Sequence, residues 1–191
     1  VAGSQALRPA QALAGAGVFA VLLWAAFLVN MIAGGYFSPL LGIAPRRVDG
    51  LDGVLFAPLL HADTSHLLSN TLPLLVLGFL TLLEGIRRFL VVLSCSWLAS
   101  GLGVWLTGAG LTIGASGVVF GLLTYLLVRG FYNRSWRQIL LAAVIFIFYG
   151  SVLWGVLPTA VPGISWQAHL FGAVGGVIAA VLLRRRKPRL G

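Results

Sequence analysis

Six apolar runs dominate this chain, at 12–32, 65–83, 89–107, 113–128, 139–157 and 164–183. A helix rises about 1.5 Å per residue and a bilayer's hydrocarbon core is about 30 Å thick, so runs near 20 residues cross it. Nothing else in the chain constrains its fold as strongly. Inside lipid every backbone N–H and C=O must be paired within the protein, which leaves helices bundled side by side. Hydrophobic residues make up 59% of the sequence and charged ones 9%, against about a quarter charged in a soluble domain. The predicted class is therefore all-α, a polytopic membrane protein with a bundle of six transmembrane helices.

Charge and turn formers separate the runs: Glu84-Gly85-Ile86-Arg87-Arg88, Gly108-Ala109-Gly110, Arg129-Gly130 through Arg137, and Pro158 through Gly163. Lys and Arg orient the bundle. With the N-terminus inside, the inner segments hold Arg8, Arg87, Arg88, Arg129, Arg134, Arg137, Arg184, Arg185, Arg186, Lys187 and Arg189, and the outer ones hold Arg46 and Arg47. Eleven against two predicts both termini inside. Residues 1–11 then form a short cytoplasmic segment, 12–183 the membrane domain and 184–191 a basic cytoplasmic tail suited to anionic lipid headgroups. The first run exceeds a signal-peptide core, lacks a convincing cleavage site, and is expected to be retained. The stretch 51–60 is apolar but too short to span and contains Pro58, so it is expected to dip into the outer interface. The formal charge of +9 flanks helices and is not interleaved with exposed aromatics, which argues for lipid as partner and against nucleic acid. The lone Cys95 lies in an apolar run, where a buried core thiol is expected. Asn30, near the end of the first run, is expected to hydrogen-bond between helices.

On this map three runs carry polar residues that hydrocarbon penalises, all at the outer face: His66 and Asn70, Ser116 within Gly114-Ala115-Ser116-Gly117, and His169 within Ala168-His169-Leu170-Phe171-Gly172. With the fourth run starting near Ile113, Ser116 is placed one turn down, and the whole set lies roughly 2–9 Å below the outer helix ends. A serine hydroxyl is a poor nucleophile unless an imidazole takes its proton. Acyl transfer also needs donors aimed at the developing oxyanion, and the i, i+4 spacing of His66 and Asn70 puts both on one helix face. Asp49, Asp52, Asp63 and Glu84 all fall at loops or helix ends, so the arrangement reads as a Ser–His dyad without a carboxylate. Glycines supply close approach. Gly117 with Gly121 and Gly172 with Gly176 are small-xxx-small pairs, and His169, Gly172 and Gly176 share one stripe. That stripe against Gly117 and Gly121 would press His169 towards Ser116, with Phe120 on the face of Ser116, placed to pack on the imidazole.

Blander readings exist for each residue. A serine in an apolar helix often bonds its own i−4 carbonyl. A membrane histidine can relay protons or bind a metal, although no carboxylate or thiol completes a ligand set with His66 and His169 at that depth. His61, just before the second span, reads as a brace for the external loop. No cofactor is called for.

His66-Leu-Leu-Ser-Asn70, Gly114-Ala-Ser116-Gly117 and Ala168-His169-x-x-Gly172-x-x-x-Gly176, in that order and at one depth, resemble the rhomboid family of intramembrane serine proteases, bacterial members with a six-helix core. The resemblance spans about 17–183. It implies Ser116 as nucleophile, His169 as general base, and an oxyanion hole of His66, Asn70 and the Ser116 N–H, with Gly114 lining the substrate site. It further implies transmembrane protein substrates cut near the outer interface. Two departures stand out: the external loop 34–64 lacks a Trp-Arg motif common in the family, and Phe120 occupies a position often held by Tyr. A catalytically inactive rhomboid-like binding or quality-control factor is the alternative, and such proteins typically lose the Ser or His kept here. A transporter would continue its polar residues below the Ser116 layer, where the spans are apolar. The fifth run, with Phe146, Phe148, Tyr149 and Trp154, is expected to be the side door for substrate, opening while the dyad stays fixed.

Overall fold

The computed structural model describes residues 6–158 and 163–184. The basic cluster Arg185, Arg186, Lys187 and Arg189 lies outside them. Among the described residues the chain is all-helical apart from one isolated antiparallel bridge, Ile43 with Thr112. The helices are α1 (Pro9–Ile32), the short α2 (Phe37–Leu41) and α3 (Asp52–Phe56), then α4 (Thr64–Leu82), α5 (Ile86–Thr107), α6 (Ser116–Asn133), α7 (Trp136–Tyr149) and α8 (Trp166–Leu182). Single-turn 3-10 segments lie at Val48–Gly50 and Ala57–Leu59, and a longer one, Gly150–Val156, continues α7.

Among the described residues, four helical segments have the length and apolarity to cross a membrane: α1, α4, α5, and α7 with its 3-10 extension. α8 is apolar but shorter, at 17 residues. α6 ends in Arg129, Tyr132 and Asn133 and is the centre of the bundle, buried along most of its length. α8 packs most closely on it, α7 and α5 flank it, and α4 joins α6 to the peripheral α1. Outward faces are as apolar as the core: Leu13, Val21 and Leu22 on α1, Leu72 on α4 and Ile147 on α7 are all exposed. A soluble fold would bury such surface, whereas lipid solvates it.

Small residues set the spacing at the centre. A methyl on Gly172 would collide with the Gly117 carbonyl, and one on Gly176 with the Gly121 carbonyl. α6 and α8 therefore touch backbone to backbone along the predicted stripe. α5 closes the third side, where methyls on Gly117 and Gly121 would strike Ser100 and Ser96, and Ser100 Oγ donates to the Ala168 carbonyl at 3.0 Å.

Several local expectations change. The stretch 51–60 forms α3 and a 3-10 turn wedged into the bundle, with Val54, Ala57 and Pro58 buried and the Trp97 indole donating to the Val54 carbonyl. Leu51, Leu55 and Phe56 stay exposed, so only one side faces outward. Asn30 does bond between helices as expected, accepting from the Phe37 N–H and donating to Ser38, which ties the end of α1 to the adjacent α2. Cys95 is half-buried, on the outer side of α5. Arg129 is no loop residue: α6 runs on to Asn133, and Arg129 is buried in an ion pair with Glu84.

Candidate active site

The starts of α4, α6 and α8 meet at one end of the bundle. Each begins where local chemistry demands it. Asp63 caps α4 by accepting the His66 N–H at 2.8 Å, and Ser165 caps α8 through the Ala168 N–H at 3.3 Å. α6 begins at Ser116 itself, three residues later than its apolar run suggests. The preceding residues are committed elsewhere. Thr112 pairs with Ile43, the Gly114 N–H donates to the Ala57 carbonyl at 2.9 Å, and the Ala115 N–H donates to His61 Nε2 at 3.4 Å. Gly114 sits at φ +118°, and a methyl on it would lie 2.6 Å from His66 Nε2. Both its backbone conformation and the space against His66 require glycine. Ser116 is therefore the first helical residue, not one turn down, and its N–H belongs to the first turn, where N–H groups have no intrahelical acceptor.

His169, in the first turn of α8, meets Ser116 directly: Nε2 lies 2.9 Å from the hydroxyl oxygen. Its other nitrogen, Nδ1, lies 3.0 Å from the Gly155 carbonyl in the 3-10 extension of α7. A carbonyl only accepts, so Nδ1 carries the proton and Nε2 is left as the acceptor for the Ser116 O–H. Phe120 stacks on the imidazole, with centroids 4.1 Å apart and planes 8° from parallel. His169 is buried and Ser116 half-buried. A cavity of about 210 Å³ opens beside the pair, lined by Phe120, Val152, Gly155, Trp166 and His169 among others.

His66 lies beside Gly114, and Asn70 follows one turn below on α4, its amide donating to the His66 carbonyl at 2.9 Å. Gly117, Gly121, Gly172 and Gly176 form the α6–α8 seam that holds Ser116 and His169 together. The structure thus brings Ser116, His169 and Phe120 together, sets His66 against Gly114, and joins Asn70 to His66, with the glycine seam beneath. What sequence reading missed is backbone: the carbonyls of Gly155 and Ala57, which carry no side-chain signature. A partial signal existed at Gly155, because a methyl there would come within 3.0 Å of both His169 and Phe120.

An all-helical bundle with lipid-suited outer faces and a serine–histidine pair in contact at one end defines a class of membrane protein. Residues 50–186 match the Rhomboid domain family, and the chain belongs to that family. It is 46% identical over 174 residues to a protein of Mycobacterium tuberculosis strain H37Rv, covering 86% of this chain and 72% of the relative. A Mycobacterium leprae protein is 46% identical over 152 residues, covering 74% of this chain and 60% of the relative. Both bear the name uncharacterized protein. A protein of Acanthamoeba polyphaga mimivirus named as a rhomboid protein is 28% identical over 129 residues, covering 64% of this chain and 69% of its own.

Proposed function

We propose that the chain is an intramembrane serine endopeptidase that cleaves transmembrane protein substrates near the outer face of the cell membrane. Residues 12–183 form its six-span domain, both termini lie inside, and basic residues anchor the inner face to lipid. The observation that carries this reading is the 2.9 Å contact of Ser116 Oγ with a His169 ring whose tautomer is fixed by the Gly155 carbonyl.

The chemistry follows from those atoms. His169 Nε2 takes the Ser116 proton as the oxygen attacks a substrate carbonyl. The ring becomes an imidazolium still held through Nδ1–H. The carbonyl oxygen becomes an oxyanion, facing the Ser116 N–H at the positive end of α6, the His66 ring and the amide of Asn70. Asn70 has two amide hydrogens, and one already rests on the His66 carbonyl. The other serves the oxyanion. His169 then protonates the leaving amine, and water admitted from the outer face hydrolyses the acyl-enzyme.

Labelling of detergent-solubilised protein with a fluorophosphonate tests the assignment. Wild type should label, while Ser116→Ala and His169→Ala should not label and should fail to cut a transmembrane substrate. A folded wild-type protein that neither labels nor cleaves would be the inactive, binding form of the family instead.

A further inference from the structure

His61 is fully buried, lies outside the motifs, and has no part in the chemistry above. It precedes α4 in the same loop as Ala57. Its Nε2 faces the N–H of Ala115, the residue just before the nucleophile, at 3.4 Å. Its ring stands edge-on to His66, with centroids 5.0 Å apart and planes at 65°. His66 in turn fills the space above Gly114. His61, His66, Gly114 and Ala115 thus form one continuous packed unit behind Ser116, and the Ala57 carbonyl holds the Gly114 N–H in the same turn.

Only a neutral imidazole can play this part. An N–H donor needs a lone pair, so the proton of His61 must sit on Nδ1, leaving Nε2 bare. Burial holds its imidazole down, to about 4; His66 pushes the same way and the Leu59 backbone opposes. A protonated ring would turn a second donor on the Ala115 N–H and break the turn.

We propose that His61 is a positioning residue of the site: as a neutral acceptor for the Ala115 N–H and a back wall for the His66 ring, it fixes the turn that aims Ser116 and the oxyanion donors. This rests on the reading of Ser116 as nucleophile. It predicts that the acceptor at Nε2, and not the bulk of the side chain, sets turnover. Gln places an amide oxygen near where Nε2 lies, whereas Leu fills similar space and accepts nothing.

The test compares purified wild type, His61→Gln and His61→Leu on a small soluble ester and a transmembrane substrate, with thermal midpoints recorded alongside. Misplacing reacting groups by about 1 Å can lower rates about 10²-fold. His61→Leu is expected to lose about 10- to 100-fold in kcat on both substrates with little change in KM, and His61→Gln to stay within about 3-fold of wild type. Equal activity of the two variants, equal loss in both, or a loss confined to KM would overturn the role. Should His61→Leu fail to fold, nitrogen NMR of wild type, with His61 assigned through ring–backbone correlations, decides the matter. A neutral ring protonated at Nδ1 at pH 7 is required, and protonation at Nε2 overturns the proposal. Failure of the underlying protease reading is distinguishable, since wild type would then turn over neither substrate whatever the His61 tautomer.

Discussion

A serine at the first position of a helix has its hydroxyl and its own N–H at the same end, so nucleophile and oxyanion donor arrive together. Ser116 has this placement because Gly114 and Ala115 give their N–H groups to Ala57 and His61, outside the helix. Asn70 differs in kind. In the proposed oxyanion hole it is one of several donors, and it already shares its amide with the His66 carbonyl. Asn70→Ala should therefore retain activity, reduced by about 10²–10³ in kcat as for loss of one oxyanion donor, where His169→Ala should be as inactive as Ser116→Ala. Steady-state kinetics on the soluble ester measure this, and full activity in Asn70→Ala would remove it from the oxyanion hole. At this scale the sequence was highly legible for side chains. Ser116, His169, His66 and Asn70 stand out because hydrocarbon selects against them. Gly155 and Ala57 do not, since their contribution is a carbonyl that every residue possesses.

Among the elements, α6 and α8 were legible as partners from Gly117, Gly121, Gly172 and Gly176 alone. A Val at 172 would drive its side chain into the Gly117 carbonyl and push α8, with His169, away. Gly172→Val should fall by about 10²-fold or more in ester turnover while remaining inserted in the membrane; near-normal turnover would mean the backbones do not touch there. α7 was read less well. Phe146, Phe148 and Trp154 are exposed, so they cannot act as spacers between helices. The residues that α7 buries against the bundle are Ala142 and Ile145. A side door at α7 is also not expected to open with the dyad fixed, because the 3-10 extension of α7 places the Gly155 carbonyl 3.0 Å from His169 Nδ1. Accordingly Phe148→Ala should leave transmembrane and ester cleavage within about 2-fold of wild type. Ile145→Ala, which leaves a cavity at the α7 seam, should change the ratio of the two rates. A large effect of Phe148→Ala with none for Ile145→Ala would reverse the assignment. The run 139–157 concealed the shift from α-helix to 3-10 after Tyr149, since apolarity is the same in both.

Across the whole molecule, polar clusters stand at both ends of the bundle. One holds the serine and the histidines. The other centres on Glu84, which pairs with Arg129, lies 3.9 Å from Arg88, and accepts from Tyr125 at 2.7 Å and Gln138 at 3.1 Å. This cluster ties α5, α6 and α7 to the end of α4. Removing its two members should not be equivalent. Glu84→Ala leaves Arg129, 3% exposed, as a buried cation without its carboxylate, and breaking such a pair costs on the order of 3–5 kcal/mol. Arg129→Ala leaves Glu84 its other donors and should cost less. Reversible unfolding in detergent measures both, and equal losses would show that the neighbours of Glu84 do not compensate. Charge counting saw Arg129 only as part of an inner loop, because a sequence does not reveal which cation a lone acid will draw inward.

The hold on His169 by the Gly155 carbonyl has an evolutionary side. Substitution cannot delete a main-chain oxygen; only a change in the path or length of the chain between Tyr149 and Trp166 can move it. A descendant of this protein could keep every hallmark residue intact and still fall silent through a one-residue slip in that connection. Loss of function in such a lineage would be written as an insertion or deletion in a region of no evident importance.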